Sequence, residues 1–159
     1  MQLLTPVTTD PQGVAIDHST PLLSLGSCFA DEVGSRLQRD GFDILSNPFG
    51  TLFNPLSIAA ALRLAIEERE LADDQLVFHD GLWHSWMHHS RFSSPDRDEC
   101  LARCNEAIHT THRQLQRNPL LLVTFGTSWV FFHDGHVVAN CHNLPTAISE
   151  LRPHVMTTR

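Results

Sequence analysis

The stretch Pro21-Leu22-Leu23-Ser24-Leu25-Gly26-Ser27-Cys28-Phe29-Ala30-Asp31-Glu32-Val33 reads as a short buried strand that breaks at Gly26 and passes at once into a helix. The helix is expected because Phe29, Val33 and Leu37 recur at i, i+4 and i+8, which places them on one face. Asp31 and Glu32 fall in its first turn, where the helix dipole favours negative charge, and Gly41 supplies a stop. A strand feeding a helix through small residues is the building unit of α/β folds, which bind ligands at the C-terminal ends of parallel strands. The Gly26-Ser27-Cys28 turn therefore stands where chemistry is expected.

The chain beyond this turn keeps the same alternation. Phe42 to Leu45 is expected as a second strand, leading into Asn47-Pro-Phe-Gly50-Thr-Leu-Phe-Asn54-Pro55. Asn54 suits a helix N-cap and Pro55 the first helical position, with Ile58, Leu62 and Ile66 marking a buried face as far as Glu70. Two hairpins are expected around Asp80-Gly81 and Asp134-Gly135, because Asp-Gly accepts the positive φ of tight turns. A third helix is expected from about Asp96 to Arg117, with Leu101, Cys104, Ile108 and Leu115 on one face. Leu120 to Thr124 is a near-continuous apolar run of the kind found in central parallel strands.

Composition narrows the possible functions. The 159 residues, 42% apolar and 18% charged, fit one folded domain. A net charge of −7 argues against a nucleic-acid partner. All 11 basic residues are Arg, so a P-loop lysine or a Schiff-base lysine is excluded, and the absence of Tyr excludes phenolic acid–base chemistry. No segment approaches the ~20 apolar residues of a membrane span, and Met1 to Pro11 lacks the pattern of an export signal. A cytoplasmic chain with no membrane partner is expected, with Cys28, Cys100, Cys104 and Cys141 reduced.

Two readings of Gly26-Ser27-Cys28 stand side by side: a small-residue turn around a buried thiol, or a nucleophile presented at a helix N-terminus. The dipole there favours a thiolate, and backbone N–H groups can hold an oxyanion. Gly26-Ser27-Cys28-Phe29-Ala30 resembles the motif that names the GSCFA family. Asn47 to Pro55, Thr124-Phe-Gly-Thr-Ser-Trp129 and Val138-Ala-Asn-Cys-His-Asn-Leu-Pro145 resemble that family's later motifs in the same order. The resemblance implies a single domain over residues 1–159, with motifs from about 22 to 145 and a weakly patterned tail over 146–159. It also implies a three-layer α/β/α sandwich with a mostly parallel sheet, like that of the SGNH (GDSL-like) hydrolase superfamily.

Carried over residue by residue, the superfamily's Gly-Asp-Ser block falls on Gly26-Ser27-Cys28, which makes Cys28 the implied nucleophile and leaves Ser27 as its competitor. The block that contributes an oxyanion Gly falls on Gly50. The Gly-x-Asn block falls on Gly126-Thr127-Ser128, where the Ser128 hydroxyl would donate in place of the amide. Gly26, Asn54 and Asn140 are further candidates for holding oxyanion or substrate. The superfamily's closing Asp-x-x-His has no match, and the chain ends 17 residues after His142, so a domain incomplete at its C-terminus is expected. His89 and His142 are the substitute bases, while Cys141 beside His142 would make a poor dyad.

The resemblance thus implies an ester hydrolase or acyl transferase, taking a small-molecule or glycan acyl ester, without a cofactor. The first alternative is a binding or interaction domain of the same fold that lacks a complete site. The second is a metal-binding protein that uses its many His and Cys residues. Helical geometry argues against zinc at Cys100, Cys104, His109 and His112, because Cys100 and His109 lie on opposite sides of one helix. No metal ligand is expected.

Overall fold

The computed structural model describes residues 15–142, Leu144 and the backbone of Arg152 and Pro153. Its helices are α1 (Cys28–Arg39), α2 (Pro55–Ile66) and α3 (Arg97–Leu115), and its strands are β1 (Leu22–Gly26), β2 (Ile44–Ser46), β3 (Leu76–His79), β4 (Leu82–Ser85), β5 (Leu120–Thr124), β6 (Trp129–His133), β7 (His136–Val138) and β8 (Arg152–Pro153). The architecture is mixed α/β, built on a small parallel sheet in the order β2-β1-β5. β3 and β4 form one antiparallel hairpin, and β6 and β7 form another, with β8 on the far side of β6.

β1 is buried along its whole length, and the period of two sorts its side chains between two packing partners. Leu23 and Leu25 enter the core with Ile58, Ala61, Leu64, Ala65, Cys100, Cys104 and Ile108 from α2 and α3. Ser24 faces the other way, toward α1, where its hydroxyl bonds Ser46 Oγ at 2.8 Å beside Gly34.

The anticipated face of α1 is corrected by that contact. Phe29, expected inward, is 63% exposed, and the buried residues are Ala30 and Gly34. A Cβ at Gly34 would come within 2.1 Å of Ser46 Oγ, so the helix approaches the sheet through its smallest residues, with Phe29 outside and Val33 and Leu37 half-buried at the flank. In α2 the expected face holds at Ile58, which is buried, and at Leu62, which packs against the core, but it ends before Ile66, which is exposed; Ala61, Leu64 and Ala65 are buried beside it.

Local signals place the remaining boundaries. Asn54 accepts from Ser57 N at 2.8 Å with Pro55 opening α2, and Asp96 accepts from Glu99 N at 2.9 Å to open α3. Asp80-Gly81 and Asp134-Gly135 all have positive φ, as two-residue hairpin turns require. β5 pairs in parallel with β1, but it is an edge strand: among the described residues nothing pairs with its other side.

Candidate functional site

Three loops meet at the C-terminal end of β1. Asn47, fully buried, accepts the Gly26 N–H on Oδ1 at 2.8 Å and donates from Nδ2 to Asp31 Oδ1 at 2.8 Å. Thr51 donates to the other oxygen of Asp31 at 2.9 Å, and the Gly26 carbonyl accepts from Leu52 N at 2.8 Å. From the other side, Phe53 O accepts from Gly126 N at 2.8 Å and from Thr127 N at 3.0 Å. The Cβ position of Gly126 is bounded by the Phe53 ring and by Ser27 Cβ. Three of the four sequence motifs are thereby joined around the turn between β1 and α1.

Within that turn, Ser27 is buried at the N-cap of α1, and Cys28, the next residue, is exposed. Ser27 makes no side-chain cap; its N–H donates to Thr124 Oγ1 at 3.1 Å, and the two hydroxyls are 3.2 Å apart. Ala30 N–H donates to Ser27 O at 2.9 Å, which leaves the Cys28 and Phe29 N–H groups of the first turn of α1 without a side-chain cap. The other three thiols differ from Cys28. Cys100 and Cys104 are buried in the core, and burial pushes Cys104 up to about 12; burial also raises Cys100 and the half-buried Cys141.

The glycines expected to hold an oxyanion have their N–H groups in use. Gly50 donates to Asn47 O at 2.7 Å, closing an Asn47-Pro48-Phe49-Gly50 turn with proline at its second position. A Cβ at Gly50 would lie 2.2 Å from His89 Cβ, so this glycine serves close packing and a φ of +83°. Gly26 and Gly126 donate to Asn47 Oδ1 and Phe53 O. Asn54 is committed as the α2 cap, with Nδ2 on Ser57 Oγ at 2.9 Å. Asn140 accepts from His142 N at 3.0 Å and shapes the turn after β7. Ser128 is exposed in the loop between β5 and β6.

Neither substitute base bonds Ser27 or Cys28 among the described residues. His89 Nδ1 accepts from Arg91 N at 3.2 Å, while its backbone N–H donates to Phe49 O. His142 places Nε2 on Ser85 O at 2.8 Å and packs against His84 with the rings tilted by 32° and their centroids 4.4 Å apart; burial lowers its pKa below the ordinary imidazole value. His142 Nδ1 is buried without a partner among the described residues.

Sequence reasoning missed Asn47 as the organising residue, along with Asp31, Thr51 and Thr124. The signal available was the Asn-Pro-x-Gly turn: Asn47 has φ +40°, a conformation Asn tolerates better than most residues. Among the described residues no group of three His, Cys, Asp or Glu side chains is placed to hold a metal ion, and no helix is long and apolar enough to cross a membrane. His109 instead bonds Glu68 and Glu70, and His112 bonds Ala65 O.

A cavity of about 780 Å³ lies elsewhere, between α2 and the β6–β7 hairpin, lined by Leu56, Arg63, Trp86, Met87, His136 and Val138 among others. It includes none of the residues around Cys28. No curated protein and no solved structure matches the chain. The match that exists covers the motifs just placed around β1 and extends well beyond them: the GSCFA family model fits residues 21–157, and the chain belongs to the GSCFA family.

Proposed function

We propose that the chain is an acyl-ester hydrolase or acyl transferase in which Cys28 attacks the acyl carbon. The observation that carries this reading is the pairing of an exposed thiol with the open first turn of α1, at the C-terminal end of a parallel strand. An acyl carbonyl approaching Cys28 would meet backbone N–H groups where negative charge develops, with the Ser128 hydroxyl as a further donor in the neighbouring loop. Ser27 is the less accessible competitor, its hydroxyl being directed to Thr124. With α1 against one face of β1 and α2 and α3 against the other, a three-layer α/β/α arrangement is the reading we favour for the domain.

The commitments of His89 and His142 favour a second reading, a binding domain of the same fold that lacks a base at the thiol. Turnover of short-chain nitrophenyl esters by the wild type, Cys28→Ala and Ser27→Ala separates the two. Turnover lost with Cys28→Ala and kept with Ser27→Ala is expected. Turnover that survives Cys28→Ala, or no turnover at all, overturns the thiol mechanism.

A further inference from the structure

Of the three α-helices among the described residues, α1 alone begins without a bond from its own cap side chain. Asn54 accepts from Ser57 N at 2.8 Å and Asp96 from Glu99 N at 2.9 Å, whereas Ser27 makes no such bond. The backbone of Ser27 is not the reason. It has φ −70° and ψ 179°, the extended conformation that N-cap residues adopt, and serine is among the best N-caps. The side chain is drawn elsewhere.

What draws it is the end of β5. Thr124 Oγ1 accepts the Ser27 N–H at 3.1 Å and lies 3.2 Å from Ser27 Oγ, so one threonine hydroxyl meets both the amide and the hydroxyl of the cap residue. The sheet register brings the two together. Thr124 stands opposite Gly26, the residue before Ser27, and the missing Cβ of Gly26 makes room for the threonine side chain.

The diversion bears on the donors beside Cys28. Ala30 N–H already donates to Ser27 O at 2.9 Å, so a Ser27 hydroxyl released to cap α1 would take the N–H of Phe29, the residue after the thiol. We propose that Thr124 is a positioning residue for the chemistry at Cys28: by holding the Ser27 hydroxyl on β5, it keeps the Phe29 N–H for the oxyanion that forms there. The inference rests on the hydrolase or transferase reading above and adds to it a residue from a second strand. Thr124 acts only through Ser27. Valine at 124 would keep the branched shape that suits a strand, and with it the Thr124 carbonyl that Ser27 N also reaches at 3.3 Å, while removing the hydroxyl alone.

Amide hydrogen exchange by NMR and turnover of a nitrophenyl ester, both on the full chain, test this together. In Thr124→Val the Ser27 hydroxyl is expected to cap α1 and slow exchange at Phe29 about fivefold, the equivalent of one N-cap bond. The kcat is expected to fall by on the order of 10²-fold with KM little changed, as when one oxyanion donor is lost. Thr124→Ser, which keeps the hydroxyl, should recover most of both. Adding Ser27→Ala to Thr124→Val should recover them too, because no hydroxyl is left to cap the helix; a role confined to holding β5 against β1 would make this double variant worse. Unchanged exchange at Phe29 in folded Thr124→Val overturns the inference, as does a turnover loss that Ser27→Ala fails to reverse. A wild type without turnover overturns the hydrolase reading instead, and the exchange pattern then judges the hold of Thr124 on Ser27 by itself.

Discussion

Asn47 Oδ1 accepts the Gly26 N–H at 2.8 Å from a residue that itself sits in the left-handed region, at φ +40°. Its Nδ2 also reaches Asp31, so one buried amide links the loop after β2, the end of β1 and the first turn of α1. Asn47→Ala leaves the Gly26 N–H unsatisfied and places a strained backbone on a residue with no local compensation. A loss of about 2–4 kcal/mol is expected in urea unfolding. Cys28 should also lose its defined setting, which would appear as lower ester turnover in protein that is still folded.

Gly34→Ala should invert a familiar trend. In an exposed helix interior the change stabilises by about 1 kcal/mol. Here the new methyl group would meet Ser46 Oγ at 2.1 Å and Ser46 Cβ at 2.6 Å, so a net loss of about 1–3 kcal/mol is expected. Adding Ser46→Gly should recover most of it in the double variant. Equal melting temperatures for Gly34→Ala and wild type would contradict the close approach of α1 to the sheet.

Thiol labelling should be ordered by environment. In folded protein at pH 8, iodoacetamide is expected to modify Cys28 first and Cys141 more slowly, leaving Cys100 and Cys104 unmodified until denaturant is added. Peptide mapping by mass spectrometry reads the order. Early labelling at Cys104, whose thiol burial pushes up to about 12, would contradict the core assignment.

Acid should act through His88. The ring is fully buried between Phe49 and Phe92, with Nδ1 on Ser85 Oγ at 2.9 Å; its Nε2, near the backbone of Cys104, finds no partner of hydrogen-bond geometry among the described residues. Burial lowers its pKa from 6.5 to about 3. In the unfolded chain this group takes up a proton near pH 6.5, whereas in the folded protein it does not until about 3. Stability therefore falls as pH drops through that window, by up to about 1.4 kcal/mol per pH unit from this group. His142, also lowered by burial, adds to the same slope, whereas His109 is raised by Glu70 and Glu68 and acts in the opposite sense. Urea midpoints at pH 7.5, 6.0 and 4.5 should show a shallower decline in His88→Gln than in wild type.

What could be read in the chain was set by local chemistry. Asp80-Gly81, Asp134-Gly135, Asn54-Pro55 and Asp96 each carry their own backbone preference, and each sits where its residue type predicts. Helical spacing identifies a stripe of large apolar residues, so it does not place Phe29 outside a helix whose packing distance is set by Ala30 and Gly34, nor does it show that Ile66 lies at the exposed last turn of α2. The Gly50 N–H follows the same logic: its motif places it beside the nucleophile turn, but only the closed Asn47-to-Gly50 turn shows that the donor is consumed. That β5 has one paired neighbour among the described residues is equally hidden in the sequence. An all-apolar run has the same sequence signature whether a neighbouring strand is present or not.

Gly26 has φ +148°, and the carbonyl oxygen of Thr124 stands 2.1 Å from where its Cβ would be. Any larger residue at 26 would have to push β5 off β1, and the Thr124 hydroxyl that holds Ser27 would move with it. Strand pairing and thiol presentation are therefore one mechanical unit. A partial unfolding that peels β5 away would silence Cys28 before α2 and α3 release the core, so labelling and turnover should report an earlier transition than helix melting does.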